Sequence, residues 1–233
     1  NRIREGYVLY PMPYSNKLKM QILTPQEVNC IIFWSKDYAS LIPHIPELKE
    51  RGFHFYFQFT INGYPKELEK RVINTSIAID QAQKLVELTS KEHLQWRYDP
   101  IISTKDFNTP YHLYNFEKLC EQLQNLTKRC YIEYLDIYKK VELNFQEKGI
   151  KYLTLSHIQK QTLATQLAQI AEKFGIEVLA CCNHSLVNKD VHKARCIDPS
   201  IVEKITGKPL IVKAGPTRKE CGCAKSIDIG EYG

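Results

Sequence analysis

The stretch Val28-Asn29-Cys30-Ile31-Ile32-Phe33-Trp34 decides how this chain is read. A strand with one face in water alternates polar and apolar residues. A near-continuous apolar run is the signature of a strand covered on both faces, as in a parallel sheet wrapped by helices. A second run, Phe53 to Ile61, repeats the signal with aromatic residues, and Asn62-Gly63-Tyr64-Pro65 closes it as a turn.

Outward from these runs, strand-like and helix-like segments alternate. Gly6 to Tyr10 reads as the first strand, closed by Pro11 and Pro13. Thr24-Pro25-Gln26-Glu27 reads as an N-cap, a proline at the first helical position and a carboxylate three residues on, which starts a short helix. Pro43 and Pro46 limit the region up to Arg51 to a short or kinked helix. Apolar residues at helical spacing predict a helix over Ile73 to Thr89, and Leu94 to Tyr98 follows as the fourth strand. Thr109-Pro110 opens a helix striped by Leu113, Phe116, Leu119, Cys120, Leu123 and Leu126. Cys130 to Ile137 is the fifth strand, His157 to Phe174 a long helix ended by Gly175, and Ile176 to Cys181 the sixth strand. Asp198-Pro199 opens a last short helix ending near Gly207.

This order predicts an α/β domain with parallel strands. Six strands are two short of a closed eight-stranded barrel, so the expectation is a partial or open TIM-like (β/α) barrel. It occupies residues 1–233 as a single domain truncated at both ends, with 181–233 as a cysteine-rich segment. A doubly wound sheet is the competitor, and no glycine-rich phosphate loop follows the first strand to support it.

Composition narrows the class. Of 233 residues, 43% are hydrophobic and 25% charged, which is ordinary for a globular chain. No apolar run approaches the roughly 20 residues of a membrane-spanning helix, and the N-terminus lacks a signal-peptide core. A cytoplasmic protein with no membrane partner is expected. The net charge of +6 is spread among 26 acidic residues without a basic run, so nucleic-acid binding is permitted but not indicated. Substrate and oligomeric state do not follow from these features.

Chemistry is expected at the carboxyl ends of the strands, where the loops of a parallel α/β fold converge. Those ends carry Lys36 after the run at Ile31, Thr60 after Phe59, Arg97, Tyr98 and Asp99 after Trp96, and Asp136 after the fifth strand. Arg97 and Asp99 are two residues apart and so share a side of the pleat. The pair suits anion binding with Asp99 as orienting group or base, or a structural ion pair at the mouth. Asp136 is a candidate acid or base, or the cap of a following helix. Eight cysteines without an export signal argue against a disulfide framework. Cys30, Cys120 and Cys130 lie in apolar segments and read as core. Cys181, Cys182, Cys196, Cys221 and Cys223 crowd the last quarter, with His184 and His192 flanking them and Arg218 and Lys219 placed to favour thiolates. Four-thiolate coordination of zinc or of an iron–sulfur cluster is the expectation there, against a reading of Cys181 and Cys182 as core and the rest incidental. A metal-free hydrolase or lyase using Asp99 and Asp136 is the third reading.

Taken together these residues resemble the bacterial family known as domain of unknown function 1848. The resemblance is carried by Asn1 to Val8, Ile31 to Lys36, Phe57 to Thr60, Trp96 to Ile101, Asp136 to Tyr138, Cys196 to Asp198, and Arg218 to Cys223 through Ser226 to Gly230. It implies a chain that begins upstream of Asn1 and continues past Gly233 into a Cys-X3-Cys-X2-Cys-Tyr-Ala segment. That segment resembles the three-thiolate motif of radical S-adenosylmethionine enzymes. The resemblance thus implies a barrel enzyme holding an iron–sulfur cluster, of the four-iron, four-sulfur kind, with S-adenosylmethionine. The family has Asn-Pro after the lysine matching Lys36, where this chain has Asp37 and Tyr38.

Overall fold

The structure, a computed structural model, describes residues 2–12, 17–210 and 221–230. In chain order the elements are α1 (Arg2–Glu5), β1 (Tyr7–Pro11), β2 (Leu18–Ile22), β3 (Ile31–Ser35), α2 (Ile45–Glu50), β4 (Phe55–Thr60), α3 (Thr75–Leu88) and β5 (Leu94–Ile101). Then come α4 (Thr109–Leu123), β6 (Arg129–Tyr134), α5 (Lys139–Glu147), α6 (His157–Glu172), β7 (Glu177–Ala180), β8 (Val191–Lys193) and α7 (Pro199–Thr206).

Strands β3 to β8 form one six-stranded sheet in chain order, and every pair in it is parallel. Each strand therefore adds on the same side of the one before, a single winding without the reversal that marks a doubly wound sheet. The expected α/β class with parallel strands holds. The sheet stays open, with β3 and β8 as its edges, and no closed TIM barrel forms.

Two local expectations are corrected. The first predicted strand is β1, but it pairs antiparallel with β2 as a separate hairpin, and the sixth parallel strand is instead β8. Pro25 to Glu27 forms a turn and no helix, because only the Glu27 and Val28 N–H groups donate back to the Thr24 carbonyl before the chain extends into β3. The helices expected to open at Thr109-Pro110, near His157 and at Asp198-Pro199 do form there. Asn108 accepts from the Tyr111 N–H, Ser156 and Gln159 form a capping box, and Asp198 accepts from Ser200 while Gly207 ends α7 at φ 67.

The alternation of side chains along the strands separates two layers. Phe55, Phe57 and Phe59 of β4, Trp96 and Tyr98 of β5, Ile132 of β6 and Val178 of β7 bury against Leu85 of α3, Phe116 of α4 and Leu167 of α6. Trp96 and Phe116 stack with ring centroids 4.9 Å apart. Each such fully buried side chain contributes about 1.5–3 kcal/mol of transfer free energy. On the opposite face lie Tyr56, Gln58, Gln95, Arg97, Tyr131 and Leu179. The late chain covers this face: Ile201 and Val202 of α7 pack on Tyr56, and Ala194, Cys196 and Cys223 pack on Tyr131 and Leu179.

Candidate functional site

The late cysteines meet on the face away from α3, α4 and α6, at the carboxyl end of β7. Cys181 and Cys182 follow that strand directly, and Cys181 is pinned by its N–H donating to the Ile132 carbonyl at 3.1 Å. Cys182 stands at φ 45, a left-handed conformation that costs a non-glycine residue about 1 kcal/mol or more. Cys196 lies in the loop after β8. Its carbonyl accepts from Tyr56 Oη and from Gln58 Nε2, each at 2.8 Å, so β4 fixes the loop from beneath. Cys223 joins from the C-terminal segment, where the backbone N–H groups of Cys196 and Ile197 donate to its Sγ at 3.1 and 3.5 Å. Ala224 N–H donates to the Ile197 carbonyl at 3.0 Å and ties the two segments together.

Three sulfurs are thereby buried as one group, with Cys182 and Cys221 packed against them. The Sγ atoms of Cys181 and Cys196 are 3.0 Å apart, and those of Cys181 and Cys182 are 3.9 Å apart. Arg97 supplies the balancing charge. It is 1% exposed, and its Nη1 donates to Cys196 Sγ at 3.2 Å while its Nε donates to Asp99 Oδ2 at 3.0 Å. Its guanidinium lies over the rings of Trp34 and Tyr131, 4.4 and 5.6 Å from their centroids, with Glu133 Oε2 at 4.0 Å.

The electrostatics follow from this packing. The hydrogen bond from Cys196 holds the Cys181 thiol well below the usual thiol range, against the opposing effect of burial, and the Arg97 charge adds to it. Cys223 is lowered in the same way by Cys196, again against burial, with the two backbone donors helping. Cys196 is pushed up by its hydrogen-bonding contacts with the sulfurs of Cys181 and Cys223, which favour keeping its single thiol proton, and by burial. Burial drives the Cys182 thiol up as well. For Arg97, burial alone lowers the pKa, but the Cys196 sulfur and Asp99 outweigh it and keep the guanidinium charged.

The other sequence-predicted residues fall in different places. Asp99 and Arg97 meet as the spacing requires. Tyr98 points to the helix-covered face, where its hydroxyl donates to His112 Nδ1 at 2.8 Å; His112 Nε2 donates to the Ile102 carbonyl at 3.0 Å, which fixes the tautomer. Thr60 is buried at the end of β4, and Lys36 pairs with Glu69, itself held by Asn62. Asp136 is exposed in the connection to α5, makes no hydrogen bond or ion pair among the described residues, and is not the cap of that helix, which is Tyr138. His192 pairs with Glu177 at 2.8 Å, near the start of β7. Arg218 and Lys219 lie outside the described residues. The cations that flank the Cys221-Gly222-Cys223 turn are Lys193 and Arg195, whose side chains approach Gly222.

Sequence reasoning missed Glu133, Tyr56, Gln58 and Gln95. The available signal was alternation: Gln58 sits between Phe57 and Phe59, and Glu133 falls two residues after Tyr131, so each had to face away from the helix layer. Gln58 and Gln95 pair in register, and the Oε1 of each is buried without a hydrogen-bond partner among the described residues.

Fold and site together define an open, singly wound parallel α/β protein with a buried thiol group at its strand ends. The chain belongs to the family described as Domain of unknown function (DUF1848), whose model matches residues 1–233, the whole sequence. No curated protein and no solved structure matches it. Among the described residues no helix is long and apolar enough to cross a membrane.

Proposed function

We propose that Cys181, Cys196, Cys221 and Cys223 are the thiolate ligands of one metal ion, zinc in the first instance, that fastens the C-terminal segment over the open face of the sheet. The observation that supports this reading most directly is that sulfurs from three separate stretches, Cys223 and Cys196 being 27 residues apart, are buried against one another and beside a buried arginine. Hydrophobic packing alone has no use for a fully buried guanidinium at a sulfur. A thiolate centre does, because four thiolates overbalance a divalent ion and leave negative charge to be offset.

The donor set fits the group chemically, though the side chains do not yet surround a common point: among the described residues no three His, Cys, Asp or Glu side chains are disposed to hold an ion as they stand. Two ligands of one tetrahedral zinc, with bonds of about 2.3 Å, lie about 3.8 Å apart. The Cys181–Cys196 separation of 3.0 Å therefore has to open by less than an ångström. Zinc bound there would supply cross-linking and thiolate stabilisation, and the chain's own residues do the rest. Arg97 neutralises, Tyr56 and Gln58 hold the Cys196 loop, and Lys193 and Arg195 cover the Cys221 turn.

An iron–sulfur cluster working with S-adenosylmethionine is the alternative, supported by the family resemblance rather than by these distances. A cluster spreads its thiolates over separate irons, further apart than the ligands of one ion. Metal analysis of the purified chain decides between them. Stoichiometric zinc, lost in Cys223→Ser and Cys181→Ser, is expected. Iron and sulfide with visible charge-transfer absorbance after anaerobic reconstitution would replace zinc by a cluster, and no stoichiometric metal in either preparation would overturn the thiolate centre.

A further inference from the structure

The hairpin of β1 and β2 turns its apolar side outward. Its register pairs Tyr7 with Ile22, Leu9 with Met20 and Pro11 with Leu18. Directly opposed residues of an antiparallel pair share a face, so these six form one ladder of three apolar rungs. Tyr7, Leu9, Leu18, Met20 and Ile22 are between 40% and 63% exposed, and Pro11 is exposed with them. Val8, one residue out of phase, is 4% exposed, so the side of the hairpin that the protein covers is the opposite one. Single exposed apolar side chains are ordinary on a surface, whereas a contiguous group of them marks a contact face. A two-stranded hairpin is also marginal by itself in water and gains from a layer packed against it.

Two features say what covers the ladder. None of its six side chains is charged, and Lys19, paired with Tyr10, falls on the Val8 side. The face therefore offers a charged partner nothing to pair with, yet it meets its own copy without like-charge repulsion, as a two-fold interface requires. The area also suffices. The six side chains leave about 600 Å² open, so two copies packed face to face bury about 1,200 Å², the lower bound of a specific interface. We propose that this ladder is a two-fold interface between two copies of the chain, with Leu9 and Met20 of each hairpin at its centre. The proposal does not depend on an ion at the thiols.

Sedimentation equilibrium of the full chain tests it. The weight-average mass should rise from 27.2 kDa toward twice that value over the micromolar range, as an interface at the small end of the scale requires. Added salt should hold or tighten the dimer, because the buried face is apolar and each copy carries a net charge of +6. Leu9→Glu and Met20→Glu each bring like charges together at the centre and should weaken association at least about tenfold. Both positions are about half exposed, so the variants keep their fold, which circular dichroism checks. Ile158→Glu, at a 73% exposed position outside the hairpin, should leave the mass curve unchanged. An equal mixture of Leu9→Glu and Leu9→Lys should recover the dimer, because opposite charges then meet. A mass of 27.2 kDa at every concentration, or a dimer untouched by both Leu9→Glu and Met20→Glu, would overturn the proposal. So would a monomer that binds anionic lipid vesicles and loses them in Leu9→Glu, which would make the ladder a membrane contact instead.

Discussion

Replacing Arg97 by methionine removes the one buried cation, among the described residues, between the thiols and the acidic side chains. The guanidinium is 1% exposed and makes hydrogen bonds to Asp99 and to Cys196 Sγ. Breaking one side of a buried ion pair costs about 3–5 kcal/mol, mostly the penalty of the charge left behind. Here Asp99 and Glu133 are each 21% exposed and can recover some hydration, which places the loss near the low end, about 3 kcal/mol. The lost contact with the Trp34 ring adds about 1 kcal/mol. For a domain of this size about 4 kcal/mol lowers Tm by about 10 °C. Urea denaturation followed by the fluorescence of buried Trp96 measures it directly. The double variant Arg97→Met with Asp99→Leu removes the stranded charge and should recover about 2 kcal/mol of the loss. A single variant within about 1 kcal/mol of the parent, or a double variant no better than the single, would show that the ion pair does not carry this part of the structure.

Two further outcomes follow from the same geometry. Tyr98→Phe deletes the hydroxyl that bonds His112 Nδ1 and Asn115, leaving a buried acceptor unpaired, so stability should fall by about 1–3 kcal/mol while metal content stays unchanged; a loss of metal would contradict its placement on the helix-covered face. In reduced, metal-free protein, folding lowers the Cys181 and Cys223 thiols, so the unfolded chain binds more protons below the ordinary thiol pKa of about 8.5, and stability should decline as pH falls from there through their depressed values. Cys196 is raised and acts in the opposite sense, so stability should also turn down above that range. Denaturation midpoints that stay flat with pH across this window would contradict the thiolate assignment.

Much of the scaffold was legible from local pattern. The apolar run ending at Trp34 and the aromatic run of β4 read as strands of a parallel sheet, of which β4 is buried throughout while β3 is a half-buried edge, and Thr109-Pro110 and Asp198-Pro199 marked the starts of their helices. Strand β2 escaped notice because its apolar face, Leu18, Met20 and Ile22, is exposed and its pairing with β1 lies outside the main sheet. Helix α5 was missed because Phe145 is its only buried residue, so it carries little apolar stripe. The site was legible in part. The sharing of a side by Arg97 and Asp99 follows from a two-residue period, which is local arithmetic.

The sequence alone determined that this is a parallel α/β chain with thiols gathered late and ionisable groups at strand ends, because strand burial, helix caps and residue spacing are all short-range properties. Only the tertiary structure decided that the sheet stays open, that Asp136 stands apart while Glu133 approaches Arg97, and that Cys181, Cys196 and Cys223 touch. Those facts depend on which distant segments close on one another. Loop closure is governed by the packing of whole layers, and no local period encodes it.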